Sequence, residues 1–341
     1  MPYRFEEVDF SDFMETTAEQ FPEKSIYTTA DWYAYLQADS HVKPVVIRIF
    51  QDNCPIGYFY GGEIRKFGLK IIASPFSGWS TCWMGFEAIP GVNKLDLLPP
   101  LWNYLTCELG YFYGEVIDRD FSVDEAQRCG YHCEAFPTLD LRIDRTDEAL
   151  FKVFKSDCRN FIRQFERRGA SIEIAEPNDA FAEEYYDQLR DVFAKQGLTP
   201  SYSLEKVKHI MSIFGKTDKL LCLRVRAPDG RPIASSIFFG FNRKCFYWGG
   251  ASYRSDQHYR PNEYMIWTAI RYWRERGCTV MDMVGDRPYK HKFGPEPVSY
   301  ALIYLTKYPF LITMRNLAKK AYWLMLSMKA KRPGHRSDRE D

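Results

Sequence analysis

The 341-residue sequence predicts a mixed-sheet α/β (α+β) fold made of two similar units and a C-terminal helix. Three observations predict it. The triplet Glu108-Leu109-Gly110, ahead of a strand ending at Asp118, has a counterpart 167 residues later: Glu275-Arg276-Gly277, ahead of a strand bearing Asp282. Short aromatic and β-branched runs alternate with helix-period segments in both halves. Charge also divides: residues 1–145 hold 12 Lys+Arg against 22 Asp+Glu, and the rest hold 34 against 23. An acidic half and a basic half attract one another, and the basic half is the place for an anionic ligand.

The elements follow in order. Thr29, with Asp31 in the first turn, opens a helix carrying Trp32 and Tyr35. Strands are expected over 44–50, 56–60 and 69–73, the first two joined by a turn at 52–55. Residues 74–91, rich in Gly, Ser, Pro and Trp, read as a loop. A helix over 100–109 stops at Gly110, and a strand over 111–117 follows. In the second half, strands over 220–225 and 232–241 flank the turn Ala227-Pro228-Asp229-Gly230. A third, over 245–248, runs into Gly249-Gly250. Pro261 opens a helix ending at Gly277, and a strand over 279–284 follows.

A hydrophobic fraction of 45% and an aromatic fraction of 16% can fill real cores. A net charge of +1 argues against a general nucleic-acid binder, so no DNA partner is expected. Nine scattered cysteines read as reduced thiols of a cytoplasmic protein, and Cys129, His132 and Cys133 lack the second ligand pair a zinc site needs. The acidic N-terminus has no apolar signal core, and no run of 18 apolar residues is present.

Two segments carry the chemistry. In residues 154–169, Phe154, Cys158, Ile162 and Phe165 form an apolar helix face beside a stripe of Lys155, Arg159, Arg163 and Arg167. Like charges at this spacing cost an isolated helix a few tenths of a kcal/mol each, a cost that facing an anion offsets or that solvent screens. Residues 289–294 (YKHKFG) set two lysines beside aromatic rings, an arrangement suited to a phosphate or a developing oxyanion.

The helix ending Arg167-Arg168-Gly169, the hairpin running into Gly249-Gly250, the Glu-x-Gly helix end and the Asp282 strand followed by Tyr289-Lys290-x-x-Phe293-Gly294 resemble the FemAB-like branch of the GNAT acyltransferases. That branch includes the peptidoglycan-bridge aminoacyl transferases and the CelD-like group. The resemblance covers roughly residues 25 to 305 and implies two tandem GNAT-like domains, 1–145 and 146–308, with 309–341 as a basic amphipathic helix and tail. It implies an acyl donor, acyl-CoA, meeting an amine acceptor. It places Arg159 and Arg163 against acceptor phosphate and Lys290 at the transferring acyl group. Asp282 and Tyr289 are candidate bases or relays, Tyr247 and Trp248 candidate substrate platforms, and Gly249, Gly250 and Arg260 candidates for holding the donor. One departure concerns the donor site. The usual Gly-rich turn that cradles pyrophosphate at a helix N-terminus reads here Tyr259-Arg260-Pro261-Asn262-Glu263-Tyr264, without glycine.

The expected function is acyl transfer to an amine of a cell-envelope or polysaccharide precursor, a small or lipid-linked anionic saccharide. Two alternatives stand beside it: an aminoacyl-tRNA-dependent transferase, and a non-catalytic binder or scaffold for an anionic glycan. The apolar segment 310–328, with its flanking lysines, either docks on the first domain or lies against the inner membrane surface. The tail from Pro333 reads as disordered.

Overall fold

A computed structural model describes residues 3–11, 21, 24–66, 68–76, 78–194 and 197–331; the tail from Pro333 lies outside these. The first half runs β1 (Tyr3–Val8), α1 (Ala30–Ser40), β2 (Lys43–Gln51), β3 (Cys54–Lys66), β4 (Leu69–Ser74), β5 (Gly85–Ala88), α2 (Lys94–Cys107), β6 (Tyr113–Ile117), α3 (Val123–Arg128) and β7 (Cys133–Arg142). The second runs α4 (Asp147–Val153), α5 (Ser156–Arg167), β8 (Ser171–Ile174), α6 (Asp179–Ala194), α7 (Leu204–Phe214), β9 (Leu220–Arg226), β10 (Pro232–Phe241), β11 (Lys244–Ser252), α8 (Pro261–Glu275), β12 (Val280–Asp282), β13 (Glu296–Thr306) and α9 (Phe310–Lys331).

The thirteen described strands form one mixed sheet, ordered β1-β2-β3-β4-β6-β13-β7-β12-β11-β10-β9-β8, with β5 paired to β3. The repeated Glu-x-Gly signal marks the same construction twice. Strand β4 crosses through α2 to parallel β6, and β11 crosses through α8 to parallel β12. Both helices stop at a left-handed glycine, Gly110 (φ 74) and Gly277 (φ 87), where a side chain would be strained. A buried aspartate closes each strand by accepting the N–H two residues on: Asp118, directly after β6, from Asp120 at 2.9 Å, and Asp282, the last residue of β12, from Val284 at 2.8 Å.

The halves are interlocked rather than set side by side. β7, which precedes the expected boundary near 145, pairs with β12, whereas β13 returns to pair with β6. One core, built on α1, α6 and α7, is shared by both halves. The charge asymmetry appears in the contacts between the halves: Lys219–Asp31 at 2.5 Å, Lys206–Asp39 at 3.1 Å and Arg315–Glu115 at 3.0 Å.

Helix α2 begins at Lys94, six residues earlier than its prolines suggested, with Asn93 as N-cap accepting from Leu95 N–H at 3.1 Å. Strands β5 and β7 were unexpected. Helix α9 docks its first turns through Ile312 and Arg315, the latter bonded to buried Glu115. Among the described residues no helix is long and apolar enough to cross a membrane.

Candidate active site

The site forms where β11 parts from β12. These strands pair over Lys244–Phe246 and Val280–Asp282, so from Tyr247 onward the β12-facing edge of β11 is open. On its other side β11 continues along β10, with a register shift that leaves Trp248 unopposed between Ile237/Gly249 and Phe238/Tyr247. A bulge re-aims the strand at this point. The strand thus parts from β12 at Trp248, Gly249 and Gly250.

Tyrosine hydroxyls crowd both faces of that strand. A Cβ on Gly249 would stand 2.3 Å from the Tyr185 hydroxyl oxygen and 3.4 Å from that of Tyr202. A Cβ on Gly250 would stand 2.3 Å from the hydroxyl of Tyr247. Glycine is required because phenol oxygens occupy the side-chain positions. Tyr185 and Tyr202 share a 2.7 Å hydrogen bond, and half-exposed Tyr289 neighbours Tyr247, with Lys290 Nζ 5.6 Å and 5.5 Å from their rings. Burial pushes the buried Tyr185 and Tyr247 phenols well above their ordinary range, so both stay protonated donors. Trp248 is buried, and its indole N–H has no hydrogen-bond partner.

The two segments singled out in the sequence touch. Lys155 N–H donates to the Lys292 carbonyl at 2.8 Å, and the Phe154 and Phe293 rings meet edge to face at 5.4 Å. Their charged residues nevertheless divide into different jobs. Lys290 is buried, and its ammonium donates to the carbonyls of Met283 at 2.5 Å, Val284 at 2.8 Å and Gly285 at 3.2 Å. An ammonium has three N–H donors, so none remains for an oxyanion in this geometry. Lys290 instead clamps a turn in which Val284 takes φ 55, a conformation β-branched residues rarely adopt. Burial lowers its pKa to about 8.

Asp282 is likewise a holder rather than an accessible base. It is wholly buried, and its Oδ1 accepts from Thr138 Oγ1 at 2.6 Å and from Val284 N–H. Its Oδ2 has no hydrogen bond and lies 3.7 Å from Lys244 Nζ, which also bonds Asp140 at 3.0 Å. Burial opposes the Lys244 charge, but Asp282 and Asp140 more than offset it and raise its pKa. Burial also raises that of Asp140. Sequence reasoning missed Lys244, Asp140 and Thr138; Lys244 and Asp140 are charges inside strand-like runs, a signal that was available.

Arg159 turns back to cap α4, its Nη1 donating to the carbonyls of Phe151 (3.1 Å) and Phe154. Those carbonyls end a helix and need donors, so the expected phosphate contact gives way to a local one. Arg163 is exposed, 5.9 Å above the Phe151 ring. Arg260, in the left-handed region at φ 60, precedes α8 and stacks 4.0 Å over Phe161 of α5. Its Nε is buried with no hydrogen-bond partner. Beside it Lys292 pairs with buried Glu263 in the first turn of α8. Arg260 and Lys292 thus bring positive charge to a helix N-terminus, the kind of charge a phosphate-bearing donor needs, while Glu263 offsets part of it. Among the described residues, no cluster of three or more His, Cys, Asp or Glu is placed to hold a metal.

Residues 152–291 match the family model for the Acetyltransferase (GNAT) domain. No curated protein matches the chain by sequence. Among solved structures the chain is similar to FemX, with a TM-score of 0.67 at 12% identity, over 89% of this chain and 97% of that one. It is also similar to a tandem GNAT protein from the clavulanic acid biosynthesis pathway (TM-score 0.51, 11% identity, 89% and 98% covered). A third similar structure is the C-terminal domain of a putative lysylphosphatidylglycerol synthetase from Agrobacterium fabrum (0.52, 14%, 96% and 99%). The chain thus shares its overall fold with FemX and with a tandem GNAT protein, the fold that the sequence motifs implied.

Proposed function

We propose that this protein is an N-acyltransferase that moves an acyl group from acyl-CoA to an amine of an anionic saccharide precursor of the cell envelope. The observation that carries the reading is the open edge of β11 at Trp248–Gly250, lined by tyrosine hydroxyls and close to the cationic start of α8. Acyl-CoA would supply an acyl carbon activated as a thioester. Arg260 and Lys292 would hold its phosphates. The free backbone edge of β11 supplies donors where negative charge develops on the acyl oxygen, a service commonly worth 10²–10³ in rate per donor. As the amide bond forms and the thioester C–S bond breaks, half-exposed Tyr289 would relay the proton lost by the attacking amine to the departing CoA thiolate. The exposed Arg163 face of α5 adjoins the 289–294 loop and suits an anionic acceptor.

The test is calorimetric and thermal-shift titration with acetyl-CoA and longer acyl-CoAs. Native-state binding raises stability by about 2.7 kcal/mol at a hundred times Kd. Binding that weakens about ten-fold or more in Arg260→Ala supports the proposal; an absence of binding by any acyl-CoA refutes it. A second reading, aminoacyl transfer from charged tRNA, is favoured by one observation. The first turn of α8 lacks glycine, loses one N–H at Pro261 and carries the carboxylate of Glu263, all unfavourable to a pyrophosphate cradle. Incubation with labelled aminoacyl-tRNA and labelled acetyl-CoA in parallel separates the two donors.

A further inference from the structure

The outward face of α9 is apolar along its described length. Phe310, Met314 and Leu317 are 58%, 58% and 60% exposed, and their spacing of four and three residues puts them on one stripe, which Leu324 continues. The stripe extends off the helix. Phe310 lies 6.0 Å from the Tyr308 ring, and Tyr308 stacks at 6.4 Å on Phe112; both of these rings are half-exposed. The rotation of α9 is set from the opposite side. Ile312 is buried in the shared core, Arg315 bonds Glu115 at 3.0 Å and stacks over Tyr304 at 5.1 Å, and Asn316 reaches Glu134 at 3.5 Å. The anchored face therefore turns the apolar stripe outward.

Charge decides what covers it. Residues 307–341 hold nine Lys+Arg against three Asp+Glu, the three acids all lying beyond residue 337. Exposed Lys307, Lys319 and Lys320 accompany the stripe. Packing this face against a second copy would bring two strongly basic segments together. An anionic surface that also accepts apolar side chains meets both demands, and α9 is too polar to cross a bilayer. We infer that the outer face of α9, with Tyr308 and Phe112, is a docking surface for an anionic lipid bilayer. The helix lies flat, its apolar stripe at the acyl boundary and its lysines among the headgroups. This inference does not depend on the reaction proposed above.

The test is co-sedimentation of the full chain with vesicles of phosphatidylcholine containing about one-third phosphatidylglycerol, against pure phosphatidylcholine. Binding is expected to the anionic vesicles and to fall steeply with added salt. Met314→Glu should weaken it about ten-fold or more. Lys319→Gln/Lys320→Gln should weaken it roughly 25-fold, about five-fold per cation. Both changes are at exposed positions, so the melting temperature should hold and a loss of binding reads on the surface. Equal binding to both vesicle types, or binding to neither, overturns the inference. So does a concentration-dependent dimer of the wild-type chain that Met314→Glu abolishes, which would make a second copy the occupant.

Discussion

Replacing Lys290 by methionine separates two jobs: donating to an oxyanion and holding a turn. In the structure its ammonium serves the carbonyls of Met283, Val284 and Gly285 at 2.5–3.2 Å. Methionine leaves all three without that donor. At about 1–3 kcal/mol each, the gross loss is roughly 3–9 kcal/mol. Against this stands relief from burying the charge. A fall in pKa from 10.5 to about 8 corresponds to about 3 kcal/mol. The net expectation is destabilisation centred near 3 kcal/mol. For 341 residues the entropy of unfolding is about 0.7 kcal/mol/K, so the melting temperature should fall by roughly 4 °C. Scanning calorimetry at neutral pH measures it. A pH series adds a second check. Between about pH 8 and 10.5 the unfolded chain binds the Lys290 proton that the folded chain has released, so wild-type stability gains from this residue as pH rises through that window. The Met variant lacks that increment, and the difference between the two proteins isolates it from buried Lys24, whose pKa is also about 8. A variant that melts within about 1 °C of wild type yet loses 10²–10³ in transfer rate would refute the reasoning and return Lys290 to the oxyanion.

Two further substitutions probe the same fold. Gly250→Ala puts a methyl 2.3 Å from the Tyr247 hydroxyl and should cost about 1–3 kcal/mol. Adding Tyr247→Phe removes the clashing oxygen, so a double-mutant cycle should show favourable coupling, and strict additivity would contradict the packing described. Burial raises buried Glu87 to a pKa of about 7, so the folded chain holds its proton between about pH 4.5 and 7 while the unfolded chain does not. Its contribution to stability is present below pH 4.5 and lost as pH rises through 7. Glu87→Gln should therefore gain on wild type as pH rises, in urea unfolding series; an unchanged difference across that range would rule the titration out.

What could be read from the chain follows the range of the interactions involved. The crossover from β11 through α8 to β12 was legible because its signals are local: Pro261 at the first helical position and left-handed Gly277. Helix α2 misled because Pro99 and Pro100 read as its beginning, yet they sit inside it. Pro99 cannot donate to the Leu95 carbonyl, and the Tyr131 hydroxyl donates there at 3.3 Å instead. A residue 36 positions away repairs the helix, and no local rule anticipates it. Strand β7, with Pro137 in its middle, was missed for the same reason: its place between β12 and β13 comes from partners more than 130 residues away.

The site divides along the same line. Residue types and approximate places were legible, since Tyr289 and Lys290 do share a loop beside the open end of β11. Direction was not. Whether Lys290 aims outward or into the turn depends on Val284 taking a left-handed φ, and that turn is held jointly by Asp282 and by Thr138 from β7. Arg159 and Arg163 have equal standing as members of one stripe, yet the end of α4 leaves carbonyls that only the nearer one can reach. Interlocking ties these local outcomes together. Because β7 and β13 exchange places between the halves, the strand carrying Thr138 braces the turn after β12 from the opposite side of the expected boundary. Damage to the first half should therefore reach the chemistry of the second through Thr138 and Asp140, a coupling no reading of either half alone contains.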